Sequence, residues 1–184
     1  MPSLLVGAPV LGKADERELA FEVGKRMAYL RPERFVTLAV GTLPKLEAAF
    51  TAVVLATGAR LRAHDGQPFD PQNDEAKRLA ASLQKQVPGP LLEQVGEIST
   101  KLSGRLGNGL VAGWRAATDL TANRVGFIVA NDFEIAARGI ATEGASLSTM
   151  SVKERLRDLL AYAVSEQYFQ VRRHLGLHVR DASA

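Results

Sequence analysis

The side chains best suited to catalysis or ligand binding lie in two short segments that are far apart in the sequence. The segment from Lys25 to Tyr29 supplies an amine, a guanidinium and a phenol, while Asp119 and Asn123 supply a carboxylate and an amide. Such a set performs metal-independent acid–base chemistry only where an open cleft strongly perturbs the pKa values of its members. Because two cations and a phenol cannot hold a dication, we predict that these residues bind no metal.

The first segment resembles the catalytic helix of the HtpX-like zinc metallopeptidases, which are gluzincins. In that family the helix carries His-Glu-x-x-His, where two histidines bind zinc and the glutamate is the general base. In this chain the five positions hold Lys25, Arg26, Met27, Ala28 and Tyr29. Around them, apolar or small residues occur where the family has them, at Phe21, Gly24 and Leu30. The resemblance implies the scaffold of a peptidase from which the zinc ligands have been lost.

The second segment, from Trp114 to Phe127, extends this resemblance. The family's third zinc ligand is a glutamate in a segment that reads roughly Glu-x-x-Ala-Asp-Arg-x-Gly. Here Asp119 stands at the Glu position and Asn123 at the Asp position, and the matching residues are Ala122, Arg124 and Gly126. The resemblance therefore implies a vestigial site with no catalytic role, made of Lys25, Arg26, Tyr29, Asp119 and Asn123.

Composition limits the classes of function. The chain has 184 residues, of which 46% are hydrophobic and 23% charged, as is usual for a soluble globular protein. It has no cysteine, which removes disulfides and thiol catalysis and fits a reducing, cytoplasmic compartment. The net charge is +3 with lysine and arginine dispersed, so no basic stripe for nucleic acid is evident. No apolar run reaches the roughly 20 residues that a bilayer requires, and we expect no membrane span.

Hydrophobic periodicity predicts helices along most of the chain. Capping boxes open two of them, at Asp15 and Ser151, and a cap at Asn131-Asp132 opens a third. The predicted segments are 16–30, a short helix from 31, 44–57, 74–86, 91–102, 110–130, 131–141 and 151–163, with 165–175 continuing or restarting the last one. We therefore predict a mostly α-helical, gluzincin-like bundle of six to eight helices, with at most a short strand near Leu4–Val6. One globular domain is expected over residues 1–184.

Three further expectations concern packing and loops. The helix 110–130 is predicted to be the centre of the core, with Trp114 as an apolar anchor and a stripe formed by Leu110, Ala117, Leu120, Thr121, Arg124 and Ile128. Residues 59–72 are predicted to be a mobile surface loop with little to bury. His174 and His178 have the spacing of two ligands on one helix face, but we predict exposed histidines in a tail rather than a metal site.

The function that we expect from the sequence is that of a catalytically inactive, bacterial peptidase-like module. It would act as a protein-binding or scaffold domain with no cofactor or metal, because a cleft between two helices is a ready site for a protein or peptide. Two alternatives stay open: a metal-independent enzyme that uses a cleft formed by Lys25, Arg26 and Asp119, and a basic helical domain that binds nucleic acid. The resemblance implies that similar domains occur at the C-terminal end of longer bacterial chains with helical repeats, so a fragment of such a chain is also compatible with the sequence.

A direct polar contact is expected to replace the metal. In the resembled family, zinc joins the helix with two histidines to the helix that carries the third ligand. If the two helices still face each other, Asp119 should bond to Lys25, Arg26 or Tyr29 at about 3 Å.

Overall fold

The computed structural model describes residues 3–8, 15–107, 109–143 and 150–177. Within these ranges the chain forms nine helices and no strand. They are α1 (Glu16–Tyr29), α2 (Pro32–Val40), α3 (Leu43–Ala56), α4 (Asp74–Gln86), α5 (Gly89–Thr100), α6 (Leu110–Ala130), α7 (Phe133–Thr142), α8 (Val152–Ala163) and α9 (Glu166–His174). The prediction of a mostly α-helical protein is confirmed, with nine described helices in place of six to eight. None of the described helices combines the length and the apolar character that a membrane span needs.

Several helices begin where side-chain caps predict. The Asp132 carboxylate accepts a hydrogen bond from the amide of Ile135 at 3.1 Å and opens α7. Ser151 and Glu154 form a reciprocal capping box at the start of α8, in which each side chain bonds to the backbone of the other residue. Because these contacts satisfy orphan amides of the first turn, they fix the start of each helix locally.

The chain divides into two compact units. The first comprises residues Met1–Leu38 and Ala116–Ala184, and the second comprises Ala39–Arg115. Each unit is described by itself below, and the expectation of one globular domain over residues 1–184 stays a prediction.

The core of the first unit is a cluster of aromatic and aliphatic side chains from α1, α6, α7, α8 and α9. The rings of Phe127 and Tyr168 stack at 4.9 Å between centroids, and Tyr162 meets Tyr168 edge-on at 5.6 Å. Such ring pairs add to the stabilisation that burial of their apolar surface provides. This cluster holds α8 and α9 against the C-terminal half of α6.

Glycines allow α1 to approach its neighbours closely. A Cβ atom on Gly126 of α6 would lie 2.7 Å from the carbonyl oxygen of Phe21, and one on Gly139 of α7 would lie 2.6 Å from the Phe21 ring. A Cβ atom on Gly24 would lie 2.9 Å from the side chain of Val129. These contacts explain in physical terms why small residues stand at the two glycine positions, 24 and 126, that carried the resemblance.

In the second unit, α3 and α4 pack through small side chains. Ala52 and Ala56 of α3 lie in one buried cluster with Ala76 and Ala80 of α4. A second cluster joins Val54 to two residues outside the helices, Leu61 and Leu106. The small residues let the two helix axes come close.

The segment 59–72 is a loop, as predicted, but the expectation that it buries little is wrong. Leu61 is only 5% exposed and Phe69 packs against the same cluster. The backbone of the loop is also bonded to the turn before α6, because the amide of His64 donates to Leu106 O at 3.0 Å and the amide of Gly104 donates to Arg62 O at 2.8 Å. The apolar Leu61 and these non-local bonds give the loop an anchored base.

The predicted inner face of α6 is also wrong in part. Ala117 is exposed and Trp114 is only partly buried, whereas the most deeply buried positions include polar residues. They are Arg115, Thr118, Asp119 and Asn123. A hydrophobic stripe does not identify this face because polar residues occupy it, and a partner such as Tyr29, which bonds to Asp119, comes from another helix. His178 lies outside the described residues.

Candidate functional site

The predicted polar contact between the two segments is present. The hydroxyl of Tyr29, on α1, donates a hydrogen bond to the Asp119 carboxylate, on α6, at 2.7 Å. Both residues are buried, at 3% and 2% exposure. The contact places two of the three positions that the resemblance assigns to zinc ligands side by side, and a hydrogen bond joins them.

Lys25 takes a different partner. Its amine lies 2.6 Å from the carboxylate of Glu143, the residue that follows α7. The guanidinium of Arg155 on α8 donates to the same Glu143 oxygen at 2.6 Å and to the carbonyl of Ile140 at 3.4 Å. The side chains of Lys25, Glu143 and Arg155 are 1%, 8% and 2% exposed, so two buried cations share one carboxylate. We refer to Lys25, Glu143 and Arg155 as the buried ion cluster.

Arg26 lies at the edge of this cluster. Its side chain is 30% exposed, and its guanidinium is 3.7 Å from Glu143 and 3.4 Å from Glu22. Unlike Lys25, Arg26 therefore contacts solvent. Solvent screening weakens its ion pairs with Glu22 and Glu143, so they contribute little to the stability of the fold.

Burial dominates the electrostatics of the two α1 groups. Desolvation lowers the pKa of the Lys25 amine below its ordinary value, and the Glu143 carboxylate opposes that shift. Desolvation, reinforced by the charge and hydrogen bond of Asp119, raises the pKa of the Tyr29 phenol above its ordinary value. Tyr29 is therefore a neutral hydrogen-bond donor at physiological pH and does not supply a phenolate.

Asn123 lies one helical turn beyond Asp119 and is 1% exposed. Neither its amide nitrogen nor its amide oxygen has a hydrogen-bond partner among the described residues. Asn123 is therefore buried, like Lys25, Tyr29 and Asp119, but it takes no part in their hydrogen bonds. A buried amide in this condition costs free energy of folding.

Glu143 and Arg155 were not among the site residues predicted from the sequence. A signal for Arg155 exists: on α8 it is spaced three and four residues from Val152 and Leu159, so it falls within the apolar stripe. Lys25 shows the same feature between Phe21 and Ala28. A charged residue at a core position of an amphipathic helix predicts a buried partner of opposite charge, although it does not identify the partner.

The donor set does not suit a divalent cation. In the part of the chain that the structure describes, no group of three or more His, Cys, Asp or Glu residues is positioned to hold a metal. The residues that contact Asp119 and Glu143 include the Tyr29 phenol and three cations, which repel a metal ion or compete with it for the carboxylates.

No protein-family model, curated protein or solved structure matches this chain. The likeness to HtpX-like peptidases accordingly stays a resemblance carried by the two segments.

Proposed function

We propose that this chain is a non-catalytic, peptidase-like module that serves as a protein-binding or scaffold domain. The observation that carries the proposal is the burial of the reactive side chains: Lys25, Tyr29 and Asp119 are each at most 3% exposed. Catalytic groups must reach a substrate, whereas these groups bond to other parts of the fold.

The contacts of the individual groups support this proposal. A nucleophilic amine needs a free lone pair, but the Lys25 amine is engaged by the Glu143 carboxylate at 2.6 Å. Tyr29 directs its proton at Asp119, which makes that carboxylate an acceptor within the protein. Lys25 and Asp119, which a metal-independent enzyme would use, are thus engaged in contacts with other parts of the fold.

Exposed apolar side chains on α8 and α9 support a role in binding. Leu160 and Val164 are one helical turn apart and are 55% and 73% exposed, and Phe169 of α9 is 51% exposed. Apolar surface of this kind is available to a protein partner.

Amine labelling tests the non-catalytic part of the proposal. The purified chain is treated with an acylating reagent at neutral pH, and each lysine is followed by mass spectrometry. We expect Lys153, which is exposed, to react fully while Lys25 is protected until the protein unfolds. Rapid labelling of Lys25, together with hydrolysis of a broad peptide library that is lost in Lys25→Met, would overturn the proposal.

Site-specific photocrosslinking tests the binding part. A photoreactive amino acid replaces Val164 in one variant and the exposed Gln94 of α5 in the matched control. We expect one protein to crosslink at position 164 and not at position 94, and to be displaced when Leu160→Glu is added. Identical crosslinking patterns at the two positions, or none, would contradict a partner at this surface.

A further inference from the structure

The second unit contains a cavity of about 310 Å³ that belongs to neither the vestigial site nor the surface of α8 and α9. Its walls come from α3, from the segment that precedes α4 and from the start of α6. Phe50 and Phe69 supply aromatic surface, and both rings pack against the cluster that contains Leu61. The rings are therefore held in place by the core of their own unit.

Glu47 is the only charged residue among the described residues that line this cavity. It lies on the exposed side of α3 and forms no ion pair within the part of the chain that the structure describes. Asn73, the other strong acceptor in the lining, already accepts a hydrogen bond from the amide of Ala76 at 2.9 Å. The cavity thus offers one unengaged carboxylate beside two aromatic rings.

This combination selects for a cation on an apolar stem. A lysine or arginine side chain can lay its methylene groups along aromatic surface while its charged end meets a carboxylate. A cation that lies over the face of an aromatic ring is also attracted to it. The volume is at the lower end of the range for ligand pockets, which fits one long side chain better than a large cofactor.

We propose that this cavity binds a lysine or arginine side chain of a polypeptide partner, with Glu47 as the acceptor and Phe50 and Phe69 as the walls. The inference rests on the proposed function in taking the partner to be a protein, but its site is separate. The pocket can bind a basic probe even if the surface around Val164 has no partner, so the two proposals fail independently.

Titration of the full chain with small probes, followed by amide NMR shifts, tests the pocket. The probes are the acetylated methylamides of lysine, arginine and the uncharged norleucine. We expect saturable shifts at residues that line the cavity with both basic probes, and binding of norleucine about two- to fivefold weaker, as the loss of one exposed ion pair predicts. Equal binding of lysine and norleucine, shifts outside the cavity, or no shifts with any probe would overturn the proposal.

Glu47→Gln and Glu93→Gln form a matched pair of variants. Both residues are exposed glutamates on helices of the second unit, and only Glu47 lines the cavity, so neither change should impair folding. We expect Glu47→Gln to weaken binding of the basic probes about two- to fivefold and to leave binding of norleucine unchanged, while Glu93→Gln binds like the parent protein. If the two variants bind lysine equally well, Glu47 is not the acceptor and the proposal is wrong.

Discussion

The Lys25 amine and the Glu143 carboxylate lie 2.6 Å apart although 118 residues separate them in the sequence. Because Arg155 bonds to the same carboxylate oxygen, Glu143 links α1 to α8 at the end of α7. Lys25, which stands where the resembled family has its first zinc-binding histidine, is part of the buried ion cluster.

Removing the charge of Glu143 should destabilise the protein far more than removing the charge of Lys25. Glu143→Gln leaves Lys25 and Arg155 buried without a counter-charge, so we expect a loss of about 3–5 kcal/mol in the free energy of unfolding. Lys25→Met leaves Glu143 paired with Arg155 and should cost clearly less. Urea denaturation measures both values.

The control for this comparison is Glu134→Gln. Glu134 pairs with Arg138, but its side chain is 84% exposed, so we expect a change of less than about 0.5 kcal/mol. If Glu143→Gln costs no more than this control, the ion cluster does not hold the first unit together.

Local signals in the sequence predicted the helices well. Asp132 and Ser151 mark the starts of α7 and α8 because a cap bonds within three residues of itself, and such contacts depend on short-range sequence alone. The bounds of α6 were equally predictable, because glycines at 104, 107 and 109 precede Leu110 and the cap at Asp132 follows Ala130.

The partners within the site could not be predicted from the sequence in the same way. The contact between Tyr29 and Asp119 was expected only because the resemblance brings the two segments together. Glu143 and Arg155 belong to neither segment. The position of Arg155 in an apolar stripe predicts a buried partner, but nothing in the sequence identifies Glu143 as the partner that it shares with Lys25, 118 residues away. The prediction that Trp114 is a buried anchor was wrong for a related reason. Hydrophobicity favoured burial of its ring, but the tertiary fold buries Asp119 and Asn123 of the same helix more deeply.

The close approach of α1 to α6 and α7 gives a prediction for glycine substitutions. Gly126→Ala and Gly139→Ala would each drive a methyl group into Phe21, so we expect each to lose about 1–3 kcal/mol of stability. Gly113 of α6 is the matched control, because a Cβ atom there meets nothing within 4 Å. Gly113→Ala should be neutral or should stabilise by up to about 1 kcal/mol. Equal effects of Gly113→Ala and Gly126→Ala in denaturant melts would refute the close packing.

The capping box of α8 should contribute measurably to stability. Ser151→Ala removes the acceptor for the Glu154 amide and is expected to cost about 1 kcal/mol. Ser151→Thr retains a hydroxyl and should restore most of the loss. The hydrogen bonds from Ser151 to the Glu154 carboxylate also lower the pKa of that carboxyl. The stability that these bonds contribute is present at neutral pH and is lost as the pH falls through the folded-state pKa of Glu154. Thermal melts at pH 7 and at acidic pH test both statements; similar values for Ser151→Ala and Ser151→Thr would speak against the cap.

The buried hydrogen bond of Tyr29 makes the protein sensitive to alkali. Its pKa is raised above the ordinary value of 10.0 in the folded protein, mainly by desolvation and then by the Asp119 charge. Above pH 10 the unfolded chain therefore releases the phenolic proton while the folded chain keeps it, and the stability that Tyr29 contributes is lost as the pH rises.

Comparison with Tyr29→Phe isolates this effect. At pH 7 the variant should be less stable by about 1–3 kcal/mol, because the Asp119 carboxylate loses a buried donor. From pH 10 upward the parent protein should lose stability more steeply than the variant, so the difference between them should shrink. The lowered pKa of Lys25 acts in the opposite direction, raising stability as the pH approaches 10.5, but Lys25 is present in both proteins and largely cancels in the difference. Urea melts between pH 7 and pH 11 give this difference directly, and parallel curves over the whole range would show that Tyr29 does not keep its proton through a buried contact with Asp119.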